Sequence, residues 1–316
     1  MNDTAHAPRR GFVLALLTAF SWGTLPLAMA LLVHQLTPWT VTWWRLAGSA
    51  LLLAGWLGWR GRLPAMGPVL REQSAWLVLA TLGLVGNYVC YATSLRFTTP
   101  SVSQTVIQLA PMLLLLSGLI LFGERFSRGQ WAGFALLLGG LLLFFNHRLP
   151  EIASLHGNLA IGVGAVMLSS VLWTGYGIAQ KKLMASLAPA QILLVLFFAG
   201  AVVLLPLAEP TAALRLDPLG VGLLLFGVAN TMVGYGCFAE ALGVWDVTRV
   251  SAVTSMAPIV TLACMSVLNR FSPGTLPVER LNWLSIAGAV AVVAGSAACA
   301  LFAQSKKSLP RRKHKA

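Results

Sequence analysis

"SVSQTVIQLAPMLLLL" runs from Ser101 to Leu116, and "RVSAVTSMAPIVTLAC" runs from Arg249 to Cys264. Each sets polar side chains and an Ala-Pro step inside an apolar stretch long enough to cross a lipid bilayer. Proline removes a backbone donor and frees the carbonyl one turn earlier. In hydrocarbon such groups must find a partner, so broken backbone survives only inside protein or beside a wet cavity. Reading these two stretches correctly decides the fold.

The whole chain is suited to that solvent. Of 316 residues, 57% are apolar and only 10% charged, against about a quarter charged in ordinary globular proteins. The mean hydropathy is +0.79. A chain so poor in charge could not cover its own surface in water. The net charge of +13 invites a nucleic-acid reading, but six of the cations lie in the tail "KKSLPRRKHK" and most others in short gaps between apolar runs. That distribution points to membrane topology and not to phosphate binding.

Apolar runs near the ~20 residues a spanning helix needs occur ten times: 11–33, 39–59, 75–95, 101–122, 130–146, 157–180, 189–207, 219–241, 247–268 and 282–303. They are long and continuous, unlike the alternating strands of a membrane barrel. The expectation is an all-α membrane protein with a short tail at 1–10 and a basic tail at 304–316. With the N-terminus in the cytoplasm, sixteen cations fall on that side and five on the other. That bias places both termini inside, in the inner membrane of a bacterial-type cell.

The chain repeats itself. Shifting Tyr91–Met112 by 147 residues onto Phe238–Ile259 matches Ala92/Ala239, Leu95/Leu242, Val106/Val253, Ala110/Ala257 and Pro111/Pro258. Upstream, Trp22/Trp173 and Pro38/Pro189 match at an offset of 151; downstream, Glu124-Arg125/Glu279-Arg280, Gly133/Gly288 and Gly140/Gly295 match at 155. Two repeats, 11–146 and 157–303, each hold an odd number of spans, so the second must insert upside down. Inverted repeats around a central midplane cavity are a recurring plan of secondary transporters.

"SWGT" in the first span, an early arginine in the second, and "YATSLRFTTPSVSQTVIQLAPMLLLLSGLILFGERFS" together resemble the EamA family of the drug/metabolite transporter superfamily. The resemblance covers nearly the whole chain. It implies ten helices as two inverted five-helix halves and export or exchange of small metabolites such as amino acids through a central cavity. One departure is "LNRFSPGTLPVER" after the ninth span, where the acid of an expected Gly-Glu is displaced to Glu279.

Candidate cavity residues follow from polar or aromatic side chains at mid-depth. Gln104 and Gln108 share a helix face with Pro111, and Ser251, Ser255 and Pro258 occupy the corresponding places in the second copy; the competing explanation is a structural kink with amides bonded to neighbouring helices. Asn87 with Tyr91, Trp173 with Tyr176, and Trp22, Asn230, Tyr235 and Thr254 complete the candidates, with helix packing as the alternative for each. Arg45 lies six residues into its span, where an arginine costs about 2.5–3.5 kcal/mol and marks a pathway or a paired partner. It could grip a substrate carboxylate, or snorkel to the outer interface beside Trp43 and Trp44. Glu240 is the candidate for proton coupling, through a carboxyl raised by burial, with a salt bridge to Arg249 as the alternative.

No metal site, disulfide framework or cofactor motif is expected: the four cysteines lie in apolar runs, and neither a phosphate-binding loop nor "HExxH" occurs. The sequence therefore reads as a secondary transporter, not an enzyme. Its partners would be a small-molecule substrate and membrane lipids, with a monomer as the working expectation. The alternative is an integral-membrane enzyme acting on a lipid or prenyl-linked substrate.

Overall fold

A computed structural model describes residues 6–64, 66–122, 127–153, 157–245, 247–276 and 281–302. Both chain tails, Gly123-Glu124-Arg125 and Glu279-Arg280 lie outside these residues. The described chain is helical, without strands. Six helices are long and apolar enough to cross a membrane: Arg9–Leu32, Arg71–Phe97, Asn158–Leu183, Pro218–Phe238, Arg249–Phe271 and Trp283–Leu301. The protein is thus a multi-pass membrane protein.

In order, the helices are α1 (His6–Leu32), α2 (Pro38–Trp59), α3 (Met66–Phe97), α4 (Pro100–Val106), α5 (Leu109–Phe122), α6 (Arg128–Phe144), a single turn α7 (Leu149–Ala153), α8 (Asn158–Leu183), α9 (Pro189–Leu204), α10 (Pro218–Val244), α11 (Val247–Thr254), α12 (Ala257–Phe271) and α13 (Trp283–Leu301). A 3-10 turn, Pro210–Arg215, links α9 to α10. Starts are set by local chemistry. Thr37 before Pro38 and Asp217 before Pro218 cap α2 and α10, each accepting from a backbone N–H three residues on, at 3.2 and 2.7 Å. Ser127 caps α6 and Asn282 caps α13, again 155 residues apart. The expected start at residue 75 follows a non-helical Gln73, which breaks α3 near its beginning.

Both Ala-Pro stretches are broken helices. The first splits at Ile107–Gln108 into α4 and α5, the second at Ser255–Met256 into α11 and α12. Pro111 and Pro258 sit at the third and second positions of the helices that follow, where a missing N–H costs least.

The longer helices pack in pairs across the two sequence halves. α1 lies along α10 and α3 along α8, while α2 meets α9 and α6 meets α13. α1 also contacts α12, and α8 contacts α5. Hydrogen bonds cross both of the last two contacts: Thr261 Oγ1 of α12 donates to Gly23 O of α1 at 2.7 Å, and Thr174 Oγ1 of α8 donates to Ala110 O of α5 at 3.4 Å. The α6–α13 contact is antiparallel and nearly backbone to backbone. A methyl added at Gly133 would stand 2.8 Å from Gly295 O, and one at Gly140 would stand 2.8 Å from Gly288 O. Only glycine permits that approach, which is the membrane use of small residues.

Candidate substrate cavity

A cavity of about 300 Å³ lies between the two sequence halves. From the first half it is walled by α1 (Trp22, Leu25, Pro26), α2 (Arg45), α3 (Asn87, Tyr88, Tyr91) and the broken α4–α5 segment, with Gln104, Gln108 and Pro111. From the second come Trp173 of α8, Tyr235 and Phe238 of α10, Ser251, Thr254 and Ser255 at the other broken helix, and Ser296 and Ala300 of α13.

Arg45 is the one charged side chain among these residues, and it is only 4% exposed. It does not snorkel. Its Nε and Nη2 both donate to Thr231 Oγ1, at 3.2 and 3.1 Å, and its guanidinium carbon stands 4.5 Å from the Tyr88 ring centroid. Thr231 passes its own proton to Gly227 O at 2.8 Å, so its lone pairs face the cation. Among the described residues no carboxylate pairs with Arg45; Glu240 pairs with Arg10 instead. The π face of Tyr88 offsets part of the desolvation cost, but a guanidinium has five donor hydrogens and several remain unused. Trp44, expected at an interface, donates to Pro210 O at 3.2 Å, and Trp43 packs against the core at the α2–α9 contact.

The broken helices hold each other. Gln108 Nε2 donates to Ser255 O at 3.0 Å, joining the two breaks through residues 147 positions apart. Ser255 O lacks a helical partner because Ile259 N turns instead to Met256 O. Pro258, having no N–H, leaves the Thr254 carbonyl without its usual donor four residues on. Gln104 Oε1 accepts from Tyr91 Oη at 2.6 Å, and both residues line the cavity. Asn87 donates to Ser169 O and Oγ at 3.1 and 2.7 Å, tying α3 to α8 while its side chain borders the space.

Aromatic rings form the rest of the wall. Trp22 lies 5.7 Å from Tyr235 and 5.3 Å from Phe238 between centroids. Gly234 makes this possible, since a methyl there would stand 2.8 Å from the Trp22 indole nitrogen. Gly236 has open space beside it and plays no such part.

Three expected site residues sit elsewhere. Tyr176 is 3% exposed, with its ring in the core between α3, α8 and α9. Asn230 points to α1, donating to Ser21 O at 2.8 Å, while its Oδ1 is buried without a partner among the described residues. Glu240 is 62% exposed and pairs at 2.9 Å with Arg10, not with Arg249, so the burial that would suit a proton carrier is missing. Pro258 shapes its helix without lining the cavity. Sequence reasoning missed Tyr88, whose counterpart at an offset of 147 is Tyr235; that match was legible, but Asn87 and Tyr91 alone fitted the i, i+4 stripe. Among the described residues no three His, Cys, Asp or Glu side chains gather as a metal site would require.

With this geometry in view, the relatives fit. The model of the "EamA-like transporter family" matches residues 9–146 and again 160–301. A transporter of Haemophilus influenzae is 34% identical over 97% of this chain and 99% of its own. The inner membrane transporter YhbE of Escherichia coli is 35% identical over 90% of this chain and 89% of its own. A more distant Escherichia coli protein named "Probable amino-acid metabolite efflux pump" is 27% identical over 91% and 93%. A solved crystal structure shares the fold, with a TM-score of 0.60 at 22% identity over 93% of this chain and 97% of that one.

Proposed function

The chain belongs to the EamA-like transporter family, and from that premise we propose that it is a secondary transporter exporting or exchanging small metabolites across the inner membrane. One observation carries the reading. A cavity of about 300 Å³ lies where the two halves meet, walled by both, with Arg45 buried on it and no carboxylate paired to it among the described residues. Buried ionisable groups facing a bundle interior mark substrate pathways.

In this reading ten segments cross the bilayer, the broken pairs α4–α5 and α11–α12 each counting once, as two oppositely inserted five-helix halves. Support comes from the packing. If α1 is equivalent to α8 and α3 to α10, then the α1–α10 and α8–α3 contacts are one contact seen twice, as are α1–α12 and α8–α5. The Gly133–Gly295 and Gly140–Gly288 contacts likewise exchange under the 155-residue offset. The cation bias of the loops supports cytoplasmic termini. The name of the 27%-identical relative makes amino acids and compounds derived from them the first cargo to try.

The test is flux. Metabolite profiles of a deletion strain and an overexpressor nominate cargo, and purified protein in proteoliposomes then exchanges it with and without a pH gradient. Alanine at Arg45 or Gln108 should abolish exchange while membrane insertion persists. Unchanged exchange in both variants removes these residues from the pathway, and no protein-dependent exchange of any nominated compound ends the reading.

A further inference from the structure

The cavity is built from two equivalent halves, yet its chemistry is not symmetric. Tyr88 and Tyr235 are counterparts, as are Trp22 and Trp173, and all four line it. The polar positions break the equivalence. Arg45 corresponds to Leu196 at the 151-residue offset, and at 147 Tyr91 corresponds to Phe238 and Gln104 to Ser251. The first half therefore contributes a guanidinium, a phenol and an amide, where the second has Leu196, Phe238 and Ser251, so Arg45 and Phe238 mark a charged end and an apolar end.

The two ends are separable along α10. Arg45 is anchored to Thr231, and Phe238 lies seven residues further on, roughly 10 Å at 1.5 Å per residue. That span matches a solute with a flat apolar body and one small charged head.

Resting on the transporter reading, we infer that the cargo is an amphipathic organic monoanion: an aryl or alkyl carboxylate whose head meets Arg45 and whose body lies against Trp22 and Phe238. Carboxylate suits the planar fork of arginine. A free amino group beside that carboxylate does not suit the site, because among the described lining residues no acid offsets the guanidinium, and an ammonium would enter a field that is already positive. The preferred class is thus an acid lacking an amine, or with its amine masked, ahead of the zwitterionic amino acid.

A matched probe set tests this: 3-phenylpropionate, phenylalanine, 3-phenylpropylamine and 3-phenylpropanol share one body and differ in the head. Ligand-induced thermal stabilisation of the purified chain in detergent reports binding, and counterflow in proteoliposomes reports transport. The expected result is that 3-phenylpropionate binds about tenfold or more tightly than phenylalanine, with the amine weakest. Arg45→Gln should erase that preference, bringing the anion down to the level of the alcohol, and Arg45→Lys should restore part of it. The wild-type series stands even if Arg45→Gln fails to fold. Phenylalanine binding as tightly as 3-phenylpropionate, or no binding of the anion at all, overturns the inference while leaving transport of other solutes intact. Binding of the anion without counterflow of any probe supports the site and counts against the transporter reading.

Discussion

The α6–α13 contact offers the sharpest test of the packing, because neighbouring glycines on one helix make opposite predictions. A methyl at Gly140 would stand 2.7 Å from Val292 N, 2.8 Å from Gly288 O and 3.0 Å from Ala291 Cβ, whereas a methyl at Gly139 meets nothing within 4 Å. Heavy atoms in apolar contact prefer about 3.5–4.0 Å. Gly140→Ala therefore forces α6 and α13 apart by roughly 0.5–1 Å, enough to forfeit a quarter to a half of each displaced contact. Overpacking of this kind costs about 1–3 kcal/mol. Replacing glycine by alanine also favours the helix by about 1 kcal/mol, but that gain is common to both sites and cancels in their difference.

The quantity to measure is thus the stability of Gly140→Ala minus that of Gly139→Ala, from denaturant titrations in micelles. It should be about 1–3 kcal/mol in favour of the Gly139 variant. Gly133→Ala, Gly288→Ala and Gly295→Ala should resemble Gly140→Ala, since the four glycines meet in two equivalent pairs. Joining Gly140→Ala to Gly288→Ala should cost less than the separate effects added together, because one separation of the helices relieves both. Equal stability of the Gly139 and Gly140 variants would refute the close contact. Unequal costs at Gly133 and Gly288 would count against the repeat.

Gln108→Leu removes the bond to Ser255 O and should lower stability by about 0.6–1.7 kcal/mol along with exchange activity; undiminished stability would mean the two breaks are not tied through this amide. Asn230→Ala should weaken the α1–α10 contact by about 1 kcal/mol with the apparent affinity of the folded fraction for cargo unchanged, and a raised KM at full stability would return Asn230 to the site. Glu240→Gln breaks an exposed pair and should shift stability by no more than about 1 kcal/mol, with any response of exchange to a pH gradient intact; loss of that response would restore Glu240 as a proton carrier.

Element positions were legible in the sequence because bilayer chemistry is coarse: uninterrupted apolar length and proline caps suffice to place α1, α2, α8 and α9. The two breaks were legible as well, since Ala-Pro beside Gln108 or Ser255 leaves backbone groups that lipid cannot satisfy. What a single helix cannot reveal is which face meets a neighbour. Tyr176 and Tyr235 are alike in local sequence setting, yet Tyr176 fills the core between α3, α8 and α9 while Tyr235 borders the cavity. The same holds for the amides: Asn87 reaches Ser169 from the cavity wall, and Asn230 reaches Ser21 away from it. Glu240 misled for a related reason, because its pairing depends on where the N-terminal turn of α1 docks, 230 residues away in sequence.

The unused hydrogen-bonding capacity of Arg45, a charged group, is of a different order from that of the neutral groups buried around it. Single neutral atoms such as Ser101 Oγ, Thr105 Oγ1 and Asn230 Oδ1 are buried without a partner among the described residues, but because an unmet polar group costs several kcal/mol in hydrocarbon, most close on a neighbour. Thr261, Thr174 and Ser169 behave in that way, each closing on a backbone carbonyl. Arg45 does not. It keeps one hydroxyl and one aromatic face, fewer partners than a buried guanidinium can use, and Leu196 fills the equivalent place in the other half without such a cost. A leucine at both places would give a more stable bundle with no handle for an anion. In the transporter reading, something from outside the chain completes the coordination of this cation and then leaves again. Replacing Arg45 by Met should accordingly raise the stability of the cargo-free protein while abolishing anion-driven stabilisation; a variant less stable than the parent, with anion binding retained, would show that Arg45 is structural.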